Sequence, residues 1–143
     1  MQAVLAIPSL EMLRGYGGPT EVLMQRVAGV PLLVRVIATA KRAGMDSVLV
    51  MWPEGVDEGV LLSCAESRLL EGLRVKSLRR RDAFDPKSAA HWAAIAVHLD
   101  EQFLWLPWNW VTHKRALIGL PQASKRVSTW EFPVLLHKGR GNS

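Results

Sequence analysis

Five short apolar runs, separated by helical patterns, constrain this chain more than any other feature. "AVLAIP" (3–8) and "SVLVMW" (47–52) are almost continuously apolar, as strands are when a parallel sheet buries both of their faces. "LRVKSL" (73–78) alternates more, and "FLWLPW" (103–108) is a fourth run. "FPVLLH" (132–137) is a fifth, where Pro133 restricts pairing to a sheet edge or a strand start.

Helical spacing fills the intervals. In "PLLVRVIATAKRAG" the residues Leu33, Val36, Ile37 and Ala40 recur at i, i+3, i+4, i+7, with Pro31 suited to the first turn and Gly44 to the end. "EGVLLSCAESRLLEG" places Leu61, Leu62, Ala65 and Leu69 on one side of a helix. "DPKSAAHWAAIAVHLD" opens with Asp85 as N-cap and Pro86 at the first helical position, and its apolar circumference predicts a well-buried helix. Strands alternating with helices predict an α/β fold, a Rossmann-like three-layer sandwich on a mainly parallel sheet with right-handed crossovers. The chain has no repeat or linker, so one domain is expected over residues 1–138, followed by a flexible tail at 139–143.

Composition narrows the classes. With 49% hydrophobic and 22% charged residues the 143-residue chain is globular in character. No apolar run approaches the ~18 residues that cross a bilayer, and the start lacks a basic leader, so a cytoplasmic protein is expected. Cys64 stands alone inside a helical pattern and is expected to be a buried structural thiol. The net charge of +5 favours anionic partners such as a nucleotide, nucleic acid or an acidic membrane surface.

In sheets of this kind ligands gather beyond the carboxyl ends of the strands. That rule selects residues 8–18 after the first strand, Pro53–Glu54 after the second, "RRRD" (79–82) after the third and "PWNW" (107–110) after the fourth. Within them, Arg14, Gly15, Gly17 and Gly18 offer backbone N–H groups to an anion, and Arg79, Arg80 and Arg81 offer phosphate contacts. Trp108 and Trp110, on either side of Asn109, offer stacking surfaces, while Trp52, Trp92 and Trp105 belong to the core. His91 and His98 stand seven apart with no carboxylate to complete a metal set, and His113 and His137 are isolated.

These segments bring a family into view. "AVLAIPSL…VAGVPLLVRVIATAKRAGMDSVLVMWPEG" resembles the N-terminal half of the nucleotidyltransferases that make sugar-nucleotides, CDP-polyols and molybdenum-cofactor dinucleotides. "EQFLWLPWNWVTHKRALIGL" resembles the later segment in which a strand delivers a metal-binding aspartate. The likeness covers roughly residues 2–120. It is nearest to the inositol-phosphate cytidylyltransferase-like domains fused ahead of CDP-alcohol phosphatidyltransferases. It implies a nucleotide ligand, Mg²⁺ chemistry and a membrane-bound phosphatidyltransferase as partner, at the inner membrane surface.

The departures from that pattern are as informative. Where the family's first loop carries glycines, a small hydroxyl residue and an arginine, this chain has Pro8, Ser9, Leu10, Glu11 and Met12. The loop lysine falls at Val22, beside Glu21, and the first lysine of the chain is Lys41. The metal-binding aspartate is replaced by Asn109, a neutral ligand that hard divalent ions disfavour. The expectation is therefore a degenerate domain with no catalytic residues and no cofactor, acting as a regulatory, ligand-sensing or scaffold module linked to CDP-alcohol phospholipid synthesis. The alternative is an active Mg²⁺-dependent cytidylyltransferase for a phosphorylated sugar or polyol, with Glu54, Asp82 and Asp85 as relocated acids. A nucleic-acid module built on the arginines and tryptophans is a third reading, without a recognised reading motif to support it.

Overall fold

The computed structural model describes residues 1–27, 29–110 and 133–138. Its centre is a five-stranded sheet in the order β5-β4-β1-β6-β7. The strands are β1 (Gln2–Ala6), β4 (Ser47–Pro53), β5 (Arg74–Arg80), β6 (Gln102–Leu106) and β7 (Val134–His137). The first four are mutually parallel, and β7 runs antiparallel to β6 at one edge, directly after Pro133. The expected α/β architecture on a mainly parallel sheet is thus present.

Alternation along each strand divides the core in two. Ala3 and Leu5, Val48, Val50 and Trp52, and Leu104 and Leu106 face one side, where α3 (Leu32–Arg42) and α4 (Glu58–Ala65) cover them. Val4, Leu49, Met51, Phe103 and Trp105 face the other, where Phe84, Trp92, Ile95 and Leu99 pack around α5 (Ala89–Ile95). Trp92 stands edge-on to Phe84 at 4.9 Å between centroids, and its indole N–H donates to the Pro86 carbonyl at 2.8 Å. The first two crossovers lie on one face and the third on the other. The chain moves outward from β1 to β4 and β5, then returns across β1 to β6, so crossovers of one hand must change face.

Several local expectations are corrected. The segment after β1 is not an open loop: it forms α1 (Leu10–Gly15), α2 (Pro19–Leu23) and a small hairpin of β2 (Arg26–Val27) with β3 (Val30–Pro31). Pro31 ends β3 and caps α3 instead of sitting inside its first turn. The helix expected across 58–72 stops at Ala65, because Ser67 caps a separate 3-10 turn, Arg68–Leu70. Val60, Leu61, Cys64 and Leu70 are buried, whereas Leu62 is 60% exposed and Leu69 is exposed too. Ser88, not Asp85, caps α5; Asp85 accepts instead from the Lys87 N–H at 2.9 Å in a local turn. That helix buries only Trp92 and Ile95, and Val97 beyond it is 82% exposed, so it is not buried all round. Cys64 lies buried beside the Met24 sulfur, and burial pushes its thiol up to about 11.

Candidate ligand site at the carboxyl edge

The switch point of the sheet lies between β1 and β6, where the chain departs in opposite directions. The structure closes this crevice with an aromatic pair. Tyr16, just after α1, meets Trp108, just after β6, edge to face at 5.6 Å between ring centroids. Tyr16 remains 59% exposed, so the pair lines the mouth of the crevice and does not fill the core. Trp108 and Trp110 are half-buried and pack against the α1–α4 side of the core, with Asn109 exposed between them. Tyr16, the only tyrosine, was not selected by the sequence reading; an aromatic residue inside a glycine run was the available signal.

Ser9 and the three residues after α1 decide what the first loop can offer. The Ser9 hydroxyl accepts from the Met12 N–H at 3.2 Å and the Ser9 carbonyl from the Leu13 N–H at 3.0 Å. Arg14 and Gly15 form the last turn of α1, and the following N–H groups fold back onto it. Tyr16 and Gly18 donate to the Leu13 carbonyl, and Gly17 donates to Arg14. Leu13 anchors the turn in the core. The N–H groups expected to receive an anion are thus engaged in capping a helix. Gly18, at φ 120°, also has the Glu21 carboxylate lying where a Cβ would stand. That carboxylate occupies the positive end of α2 and opposes an incoming anion.

Two further contacts close the crevice on its β4 side. Leu10 lies against Gly55, so close that a Cβ there would come within 2.5 Å of the leucine methyl. The Glu54 N–H donates to the Arg80 carbonyl at 2.7 Å, which ties the β4 turn to the end of β5. Val22, the position of the expected lysine, is only 5% exposed and packs in the core.

The arginines do not gather on one wall. Arg80 shares the α5 face with Leu78, and its guanidinium lies 5.4 Å from the centre of the Phe84 ring. Arg79 takes the opposite face by alternation, and Arg81 follows the strand, exposed. Three strand spacings, ~14 Å, separate β5 from β6, so the Arg79–Arg81 group and Trp108–Trp110 belong to different parts of the edge. What the structure brings together is the turn carrying Arg14, Gly15, Gly17 and Gly18 with Trp108, through Tyr16; the arginines of β5 stand apart.

The remaining candidates have local roles. His91 Nδ1 accepts from the Asp85 N–H at 2.9 Å and its ring leans on Phe84. His98 contacts Lys76, and His137 contacts Gln102. His113 and the tail lie outside the described residues. Among the described residues no three His, Cys, Asp or Glu side chains converge as a metal group; Asn109 is a neutral amide and the Ser9 hydroxyl is already a cap. These donors do not fit Mg²⁺, which favours carboxylate oxygen.

No protein-family model and no curated protein matches the sequence. Solved structures do match its fold. A putative glucose-1-phosphate thymidylyltransferase from Bacillus anthracis, solved with a sucrose, superposes with TM-score 0.55 at 12% identity, over 75% of this chain and 43% of that one. A UTP-bound UGPase from Acinetobacter baumannii gives 0.53 at 17% identity, over 75% and 45%. A nucleotidyl transferase from Methanothermobacter thermautotroptrophicus gives 0.53 at 18% identity, over 82% and 54%. The fold is that of nucleotidyltransferases, and the chain spans about half the length of these structures.

Proposed function

We propose that this chain is a nucleotidyltransferase-like domain without transferase activity, acting as a regulatory, ligand-sensing or scaffold module. One observation carries the reading: the segment after β1 is a capped helix with its N–H groups engaged and the Glu21 carboxylate beside Gly18. A triphosphate placed there would meet negative charge, with no lysine before Lys41 to offset it. The buried Val22 and the neutral Asn109 support the same conclusion.

We further propose, on the resemblance to domains fused to CDP-alcohol phosphatidyltransferases, that the partner is such a membrane-bound synthase. The +5 charge supports placement beside anionic lipid, and among the described residues no helix is long and apolar enough to cross a membrane.

The test uses the full chain with CTP, UTP or GTP, Mg²⁺ and a panel of phosphorylated sugars and polyols. We expect no pyrophosphate release and no magnesium-dependent rise in melting temperature. Turnover abolished by Asp82→Ala would establish the active alternative instead. Co-purification with a CDP-alcohol phosphatidyltransferase, and loss of the synthase's activity when this chain is deleted, test the partnership separately.

A further inference from the structure

The opposite, amino-terminal edge of the sheet holds a cavity of about 250 Å³ lined by Gln2, Ser47, Val48, Arg74, Lys76 and Asp100. Register explains why polar groups meet there. Gln2, Ser47 and Arg74 stand side by side across β1, β4 and β5, and Lys76 follows Arg74 by two residues, so all four side chains share the α5 face. Farther along the strands that face is apolar and covered by α5. Toward the amino ends of the strands Leu99 is the last apolar cover, and the polar residues line the cavity beyond it.

The cavity has a fixed wall. Gln2 is only 7% exposed, and both ends of its amide are engaged: Nε2 donates to the His98 carbonyl at 2.9 Å and Oε1 accepts from the Asp100 N–H at 2.9 Å. The turn carrying Asp100 is therefore held against the start of β1. Lys76 is held too, because its Nζ lies 3.0 Å from His98 Nδ1. An ammonium has only donors, so Nδ1 accepts in this contact and brings no negative charge to the lysine.

Among the described residues, Arg74 is only partly matched by acids. Arg74 reaches Asp46 only at 3.9 Å, and Asp46 is shared with the N-terminal ammonium at 3.4 Å. Residues 74–81 carry five cations and no acid. Arg74, Lys76 and Asp100 are among the residues that line the cavity, a set complementary to an anion that also carries a hydrogen-bond donor. The volume falls just short of the ~300–1,000 Å³ of drug-sized ligand pockets, which suits a molecule of a few carbons.

We propose that this cavity is a second ligand site, for a small phosphorylated or carboxylated compound whose anionic group binds Arg74 and Lys76 and whose hydroxyl donates to Asp100. The site does not depend on whether the carboxyl edge is catalytic.

Inorganic phosphate, acetate and glycolate, titrated into ¹⁵N-labelled full chain against sodium chloride of equal ionic strength, test it. We expect saturable shifts at the amides of Ser47, Val48, Lys76 and Asp100, with glycolate bound more tightly than acetate, from which it differs by one hydroxyl. Arg74→Ala and Lys76→Gln should each weaken binding roughly tenfold, the scale of one charge-assisted hydrogen bond. Asp100→Asn should narrow the gap between glycolate and acetate. Phosphate as the tighter probe would identify a phosphomonoester class, and glycolate a hydroxycarboxylate. Amides that respond equally to sodium chloride would overturn the proposal. So would an equal loss of affinity from Arg68→Ala, which removes a cation outside the cavity.

Discussion

At the carboxyl end of the strands, backbone donors are present but engaged; at the amino end, charged side chains are present and only partly matched. The first region closes on itself through Ser9, Leu13 and the N–H groups of Tyr16, Gly17 and Gly18, with Leu10 seated on Gly55. The second presents Arg74 and Lys76 around a cavity braced by Gln2. On our proposal the fold's usual ligand edge is the less receptive of the two toward anions. Topology selects where a crevice forms, but local hydrogen bonding decides whether its donors are available.

The hardest test of this contrast is whether α1 belongs to the core. Leu13→Ala removes a fully buried side chain and should cost about 2–5 kcal/mol in urea unfolding, whereas Met12→Ala, one residue earlier and exposed, should stay within ~0.5 kcal/mol. Near-equal effects would mean that the helix is loosely attached and that its N–H groups can be released to a phosphate.

A smaller loss is expected at Gly18. Alanine there must adopt φ 120° and displace the Glu21 carboxylate, which should cost about 1–3 kcal/mol. Gly18→Ala combined with Glu21→Ala should recover the part due to the carboxylate and leave the part due to the backbone. Ser9→Ala comes next, at about 1 kcal/mol for a lost N-cap. If Ser9→Ala also created magnesium-dependent binding of CTP, the cap would be what keeps the edge closed.

Much of the frame was legible because period-two burial on two faces leaves a nearly continuous apolar run. β4 was expected at 47–52 and occupies Ser47–Pro53; Trp52, Trp92 and Trp105 are buried as expected. The misreadings cluster where short-range signals compete. In "SLEMLRGYGG" the glycines signal a loop more strongly than the serine cap and the Leu10–Leu13 spacing signal the six-residue helix that forms. Asp85 and Ser88 are both capping residues, and only the seat of Trp92 against Phe84 decides that the helix starts at the second. The pairing of Tyr16 with Trp108 and the place of Gln2 in the amino-end cavity depend on strand order, which no local pattern encodes. The arginine run was legible as charge, but its division between two faces needed the assignment of Arg79 and Arg80 to a strand.

The gentlest probe of the contrast is pH. The hydrogen bond and charge of the N-terminal amine hold the Asp46 carboxyl below its ordinary value of 3.8, against an opposing loss of hydration and with smaller help from Arg74 and Ser47. A carboxyl with a lower pKa in the folded chain binds its proton less readily there than in the unfolded one. The stability it contributes is therefore complete above 3.8 and is lost as pH falls through the lower folded value. Asp46→Asn should therefore lower stability slightly at neutral pH, a small effect because the group is exposed, and flatten the acid-side dependence. The same substitution releases Arg74 from its only recorded carboxylate among the described residues. If the amino edge is the anion site, Asp46→Asn should tighten glycolate binding at pH 7 while leaving the carboxyl edge untouched. If affinity falls instead, Asp46 positions Arg74 for the ligand rather than competing with it.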